Sequence, residues 1–311
     1  MEEKIRLREI LLRKIREAPL EILQPLKGTQ LWGAHRSRQI SAGFDFDQHR
    51  SFEEGEDPRF IDWKIFGKTG ELYVKKFRAE KEAPLFLLVD LTPSMFGGAN
   101  RFFDFCTLKC EAAFILSAAF NEYARRAGDP IGYCLIGNNQ NYYFPPQKEI
   151  FPEGLEKIWE LIWKIQRDKR QPPLRQSFLE VLKKMEKEYD QSSIIIIISD
   201  LGETFLKERM KYLQKSLCRL GQNNFLFAAV TRTSFEYETP KTKAAITFRS
   251  ANGAIKQLFF NSAAERTLYQ KVVAENRLEL NNFFIRENIA YAFLKTNDNL
   301  LIDLEKNLNC R

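Results

Sequence analysis

The sequence predicts an α/β fold, a mostly parallel sheet with helices on both faces, preceded by a β-containing N-terminal extension. Three observations carry this. Leu85-Phe86-Leu87-Leu88-Val89 and Ile194-Ile195-Ile196-Ile197-Ile198 are continuous apolar runs closed by turns, the pattern of strands buried on both faces. Strand-like and helix-like stretches then alternate along the chain, which places parallel strands in a sheet covered by crossover helices. Finally, Asp90 and Asp200 each stand at the carboxyl end of one of the two apolar runs. Ligands of open α/β sheets gather at such ends, near a topological switch point.

Apolar positions at Ile5, Leu7, Ile10, Leu11, Leu12 and Ile15 predict a helix over 4–18, limited by Pro19. Residues 28–43 read as a basic loop. Over 44–84 the chain is aromatic and charged, with turns at Gly55 to Pro58 and Lys68 to Gly70 and a strand over Glu71–Phe77. The first buried strand is followed by a helix over Phe102–Ala127 that ends at Gly128. A strand over Ile131–Ile136 and a hairpin partner near Tyr142–Phe144 come next. Helices are expected over Pro152–Gln166 and Ser177–Tyr189, then the second buried strand, a helix over Phe205–Leu220 and a strand over Phe225–Val230. A hairpin around Asn252-Gly253, a helix over Ala263–Glu287, a strand over Ala290–Leu294 and a short last helix close the chain. Residues 1–84 are therefore taken as the extension and 85–311 as the sheet domain.

The 311 residues carry a net charge of +7, enough to raise nucleic acid as a partner. The basic residues are interleaved with acids, as in Lys183-Lys184-Met185-Glu186-Lys187-Glu188, which is the pattern of a solvated helix face rather than a phosphate-binding patch. Five scattered cysteines (Cys106, Cys110, Cys134, Cys218 and Cys310) form no Cys-x-x-Cys pair, and the two histidines, His35 and His49, lie far from them. Reduced thiols in a cytoplasmic protein without a zinc site are expected. No apolar stretch approaches the roughly 20 residues of a membrane helix, and the charged start lacks the apolar core of a signal peptide.

Asp90-Leu91-Thr92-Pro93-Ser94 places a carboxylate and two hydroxyls at i, i+2 and i+4 as the chain leaves a strand. These are hard oxygen donors, suited to a divalent cation that keeps several waters. Asp200 supplies a second carboxylate from another strand end. The alternative is a polar turn in which Thr92 or Ser94 caps a helix. A phosphohydrolase built around an aspartate nucleophile needs a general acid two residues on, where Thr92 stands. No G-x-x-x-x-G-K-[ST] loop is present.

The run Asp90 to Met95 resembles the D-x-S-x-S metal-ion-dependent adhesion motif of von Willebrand factor A domains. Upstream, Phe52-Glu53-Glu54-Gly55-Glu56-Asp57-Pro58-Arg59-Phe60-Ile61-Asp62-Trp63 is similar to the Y-x-x-G-D-D-x-R-x-I-D-W signature of one bacterial family. Thr69 to Phe77 and Gly33-Ala34-His35-Arg36-Ser37-Arg38 match it as well. This is the MoxR-associated von Willebrand A-like family, catalogued as domain of unknown function fifty-eight. The resemblance implies a von Willebrand A-like sheet and partnership with a MoxR-type AAA+ ATPase in protein maturation, complex assembly or cofactor insertion. It also implies metal ligation by Asp90, Thr92, Ser94 and Asp200, with Ser177 as the closest match to the second-loop threonine, without that loop's glycines. Magnesium is the expected ion, manganese or calcium the alternatives.

Glu56, Asp57, Arg59, Asp62 and Trp63 admit two readings. One is a structured turn followed by a strand, with Arg59 pairing a carboxylate and the surrounding aromatics packed. The other is a docking surface for the ATPase. The chain as a whole reads as a non-enzymatic, metal-dependent adaptor that binds the ATPase or its client, without nucleic acid or membrane insertion. The competing class is a nucleic-acid binder using the basic surface.

Overall fold

The computed structural model describes residues 45–53, 57–78, 84–96, 108–137, 141–148, 153–167, 178–188, 193–201, 209–233, 236, 245–249, 255–259, 262–296 and 300–309. They fall into two compact units, one within Trp32–Glu82 and the other within Ala83–Arg311. The expected helix over 4–18 and the basic loop over 28–43 lie outside the described residues.

In the smaller unit, β1 (Asp45–Ser51) pairs antiparallel with β2 (Tyr73–Arg78), with Arg50 opposite Val74. Between them stand a 3-10 turn, Pro58–Phe60, and a short helix, α1 (Trp63–Thr69). The signature turn therefore leads into a helix, not directly into a strand. Two aspartates make this local structure. The Asp57 carboxylate accepts the Arg59 N–H at 2.9 Å, and Asp62 accepts the N–H groups of Lys64 at 2.9 Å and Ile65 at 3.4 Å, satisfying orphan donors of the first turn. Gly70 ends the helix at φ 73°, a left-handed conformation that glycine adopts without a Cβ clash. The aromatics do not all pack as expected: Phe60, Trp63 and Phe66 are exposed, with the Trp63 and Phe66 rings edge-to-face at 5.9 Å. Phe60 stands in the 3-10 turn and Trp63 and Phe66 in a two-turn helix with little surface to cover them, while among the described residues here Ile61, Asp62 and Val74 are buried.

The larger unit follows the expected alternation. It runs β3 (Leu85–Asp90), a 3-10 turn (Pro93–Phe96), α2 (Lys109–Ala127), β4 (Ile131–Ile136), β5 (Asn141–Gln147), α3 (Glu153–Arg167), α4 (Phe178–Glu188) and β6 (Ile194–Ser199). Then come α5 (Arg209–Asn223), β7 (Phe225–Arg232), β8 (Ala245–Arg249), β9 (Ile255–Phe259), α6 (Ala263–Arg286), β10 (Ala290–Lys295) and α7 (Leu300–Asn309). The pair β8–β9 is the expected hairpin, although its turn at Asn252-Gly253 lies outside the described residues.

Six strands form one sheet in the order β10-β7-β6-β3-β4-β5. All neighbours are parallel except β4 and β5. Counted by their order in the chain and read from β5 to β10, these strands run 3-2-1-4-5-6, the doubly wound order whose direction reverses between the first and fourth. That reversal lies between β3 and β6. Every residue of β3 and β6 is buried, which is why both read as unbroken apolar runs. Alternate side chains face opposite layers. Phe86 and Leu88 join Ile195, Ile197, Ala228 and Val230 in a core completed by Val181 and Met185 of α4, Leu217 of α5 and Phe283 of α6. On the other face lie α2 and α3, where Phe120 meets Phe227 and Phe114 meets Trp159. Each such buried aliphatic or aromatic side chain contributes on the order of 1.5–3 kcal/mol. Among the described residues no helix is long and apolar enough to cross a membrane.

Candidate metal centre

The carboxyl ends of β3 and β6 bring Asp90 and Asp200 to the switch point, both 2% exposed. A strand end is the place where a backbone polar group must find a partner outside the ladder, and here the Asp90 carboxylate and the Ser199 hydroxyl each take one. The Thr92 N–H donates to Asp90 Oδ1 at 2.9 Å, and the Ser199 hydroxyl donates to Asp90 Oδ2 at 2.6 Å. Ser199 in turn accepts the Leu201 N–H at 3.0 Å. Leu201 has φ 43°, a left-handed backbone that is costly for a residue with a Cβ. That bend lies directly after Asp200.

The first loop carries a chain of hydroxyls. Ser94 Oγ donates to Asp200 Oδ1 at 3.1 Å. Ser94 Oγ and Thr92 Oγ1 lie 3.2 Å apart, within hydrogen-bond distance. Asp90, Thr92, Ser94 and Asp200 are thus brought together at the ends of β3 and β6. Ser177 and Glu56 lie outside the described residues. Asp57, Arg59, Asp62 and Trp63 belong to the other unit, where the two aspartates cap turns and Arg59 and Trp63 are exposed.

Two further charged residues complete the site and were not anticipated. Lys109, at the first position of α2, is buried and donates to Asp200 Oδ2 at 2.6 Å and to Glu236 Oε1 at 3.0 Å. Glu236 is held by the Thr233 N–H at 2.7 Å and the Thr233 hydroxyl at 3.0 Å, with Arg232 3.7 Å away. A lysine at a helix N-terminus opposes the helix dipole, but the helix expected from Phe102 places Lys109 in its interior, so the sequence does not flag it. Glu236 sits in a stretch of Thr, Ser, Phe and Tyr with no pattern that marks it.

The electrostatics follow from burial. Removal from water pushes the Asp90 carboxyl up to about 6, the charge of Asp200 pushes the same way, and the bonds from Ser199 and Thr92 oppose them. For Lys109, burial disfavours the ammonium, but the charges of Asp200 and then Glu236 outweigh it, so its pKa is raised.

The donor set fits a hard divalent cation. It offers hydroxyl and carboxylate oxygens without sulfur or imidazole. Among the described residues no three His, Cys, Asp or Glu side chains cluster as a metal group.

The family model described as "Protein of unknown function DUF58" matches residues 48–279. The chain belongs to the DUF58 family. Uncharacterized proteins of Mycobacterium bovis and Mycobacterium tuberculosis are 29% identical to this DUF58 chain over 125 residues, 40% of its length and 37% of theirs. The match thus spans little more than a third of those relatives. Among solved structures, the conserved hypothetical protein BatB from Bacteroides thetaiotaomicron is similar at 10% identity and a TM-score of 0.39, over 73% of this chain and 98% of that one. The SpRpn10 VWA domain is similar at 10% identity and 0.34, over 72% and 94%.

Proposed function

We propose that this DUF58 protein is a non-enzymatic adaptor that binds another protein through a divalent metal held by Asp90, Thr92, Ser94 and Asp200. The observation that carries the reading is the meeting of two buried carboxylates and two hydroxyls at the switch point of the sheet. Asp90 orients the loop through the Thr92 N–H. Ser94 and Thr92 present their oxygens in series towards Asp200. A divalent cation bound there supplies a positive position for an acidic side chain of the partner, by the logic of charge-assisted contacts. Magnesium is the proposed ion. The proposed partner, resting on the resemblance in the sequence, is a MoxR-type AAA+ ATPase or that ATPase's client, in maturation, assembly or cofactor insertion.

The test is titration calorimetry of magnesium and manganese into chelator-stripped wild type and Asp90→Ala. Heat in the wild type that vanishes in the variant supports the site; equal heats overturn it. A binding isotherm with the ATPase then separates two surfaces. Chelator and Thr92→Ala weaken binding if the metal face is used, and Arg59→Ala with added salt weakens it if the Asp57–Arg59 turn is used.

A further inference from the structure

Asp200 divides its two oxygens between different partners. Oδ1 takes the Ser94 hydroxyl and faces the first loop, whereas Oδ2 takes the Lys109 ammonium at 2.6 Å. Lys109 side-chain exposure is 6% and that of Asp200 is 3%, so water screens this pair little. A buried ion pair of this kind is weak evidence for stability as such, because desolvation offsets most of its attraction. Its presence inside a carboxylate–hydroxyl cluster calls for another account.

We propose that the Lys109 ammonium is the resident counter-ion of Asp200 and competes with a divalent cation for that carboxylate, so that metal loading releases Lys109 towards Glu236. The inference rests on the metal-site reading above and concerns its regulation. Three features carry it. Lys109 bridges two carboxylates, and Glu236 is a prepared second acceptor, fixed by two bonds from Thr233. Lysine carries its charge on a flexible four-carbon stem, so its ammonium can leave Asp200 while α2 stays in place. The like charges of an ammonium and a divalent cation beside one carboxylate repel each other. Without metal, the ammonium offsets charge on Asp200, which is buried near Asp90. With metal, that task is already done, and the ammonium on Asp200 becomes a cost.

The experiment compares chelator-stripped wild type with Lys109→Met by magnesium and manganese calorimetry at one pH near 8. The expected result is about 10- to 100-fold tighter binding in Lys109→Met, the usual size of coupling between two linked sites. Binding of equal or lower affinity in Lys109→Met, with clear binding in the wild type, overturns this inference and leaves the metal site standing. No binding by either protein overturns both. Binding by Lys109→Met alone supports the inference in its strongest form, a lysine that sets the threshold for loading. If Lys109→Met does not fold without metal, the wild type decides. The ammonium resonance of Lys109, observable by nitrogen-15 NMR because the group is buried and bonded, should shift on saturation with magnesium and stay unmoved in Asp90→Ala. An unchanged resonance in metal-saturated wild type overturns the inference.

Discussion

A carboxylate that has lost water gains by holding a proton, and Asp90 shows the consequence for stability. Its carboxyl is pushed up to about 6 in the folded protein, from 3.8 in an unfolded chain. The folded state therefore binds the proton more tightly. The stabilisation is complete below about pH 4 and is lost as pH rises through about 6. In the metal-free protein, denaturant midpoints should fall between pH 4 and 7 for wild type and vary less for Asp90→Asn. A wild type and a variant with parallel profiles would refute the burial of an ionised Asp90. At this scale the site was half legible. Asp90, Thr92, Ser94 and Asp200 announce themselves, because carboxylates and hydroxyls just beyond apolar runs are out of keeping with a core. Lys109 and Glu236 do not. They enter through pairings 91 and 127 residues apart, and nothing local to either position encodes a partner at that separation.

Elements were more legible than residues wherever burial was two-sided. The continuous runs of β3 and β6 leave one interpretation, and the observed strands end on or beside the expected aspartates. The short α1 was missed because seven residues mixing aromatic and basic side chains give no helical stripe; its true signals were the caps, Asp62 before it and Gly70 after. Glycines inside helices test the packing of these elements. A Cβ on Gly154, at the start of α3, would lie 2.3 Å from Tyr133 Cγ, and Tyr133 is fully buried in β4. Helix propensity alone favours alanine by roughly 1 kcal/mol, but overpacking of this kind costs about 1–3 kcal/mol. Gly154→Ala is expected to destabilise in chemical denaturation. Gly67→Ala, where nothing lies within 4 Å, should stabilise α1 by a fraction of that. Equal effects from both substitutions would deny the close approach of α3 to Tyr133.

At the scale of the molecule, charge and topology point in different directions. A net charge of +7 attracts polyanions at low salt, yet the basic residues alternate with acids along the helices. Exposed ion pairs such as Arg125 with Glu122 and Lys157 with Glu160 set basic side chains beside acids, so these bases form no uniform basic face. Affinity for duplex DNA should therefore stay in the non-specific range, about 10⁻⁴–10⁻⁶ M at physiological salt, with no preference among sequences. Fluorescence anisotropy over a salt series measures this. Sequence-selective binding at nanomolar affinity would restore the nucleic-acid reading.

The long separations within the site also bear on how the protein is made. Ser94 waits 106 residues for Asp200, and Lys109 waits 127 for Glu236. During synthesis the ribosome releases β3 and α2 well before the strands that complete their charge pairs, at about 5–20 residues per second. For several seconds, therefore, a nascent chain holds the first loop and its lysine but not their acidic partners. Under the proposed metal site, an ion can meet both carboxylates only after β6 and the Asp200 that follows it have emerged.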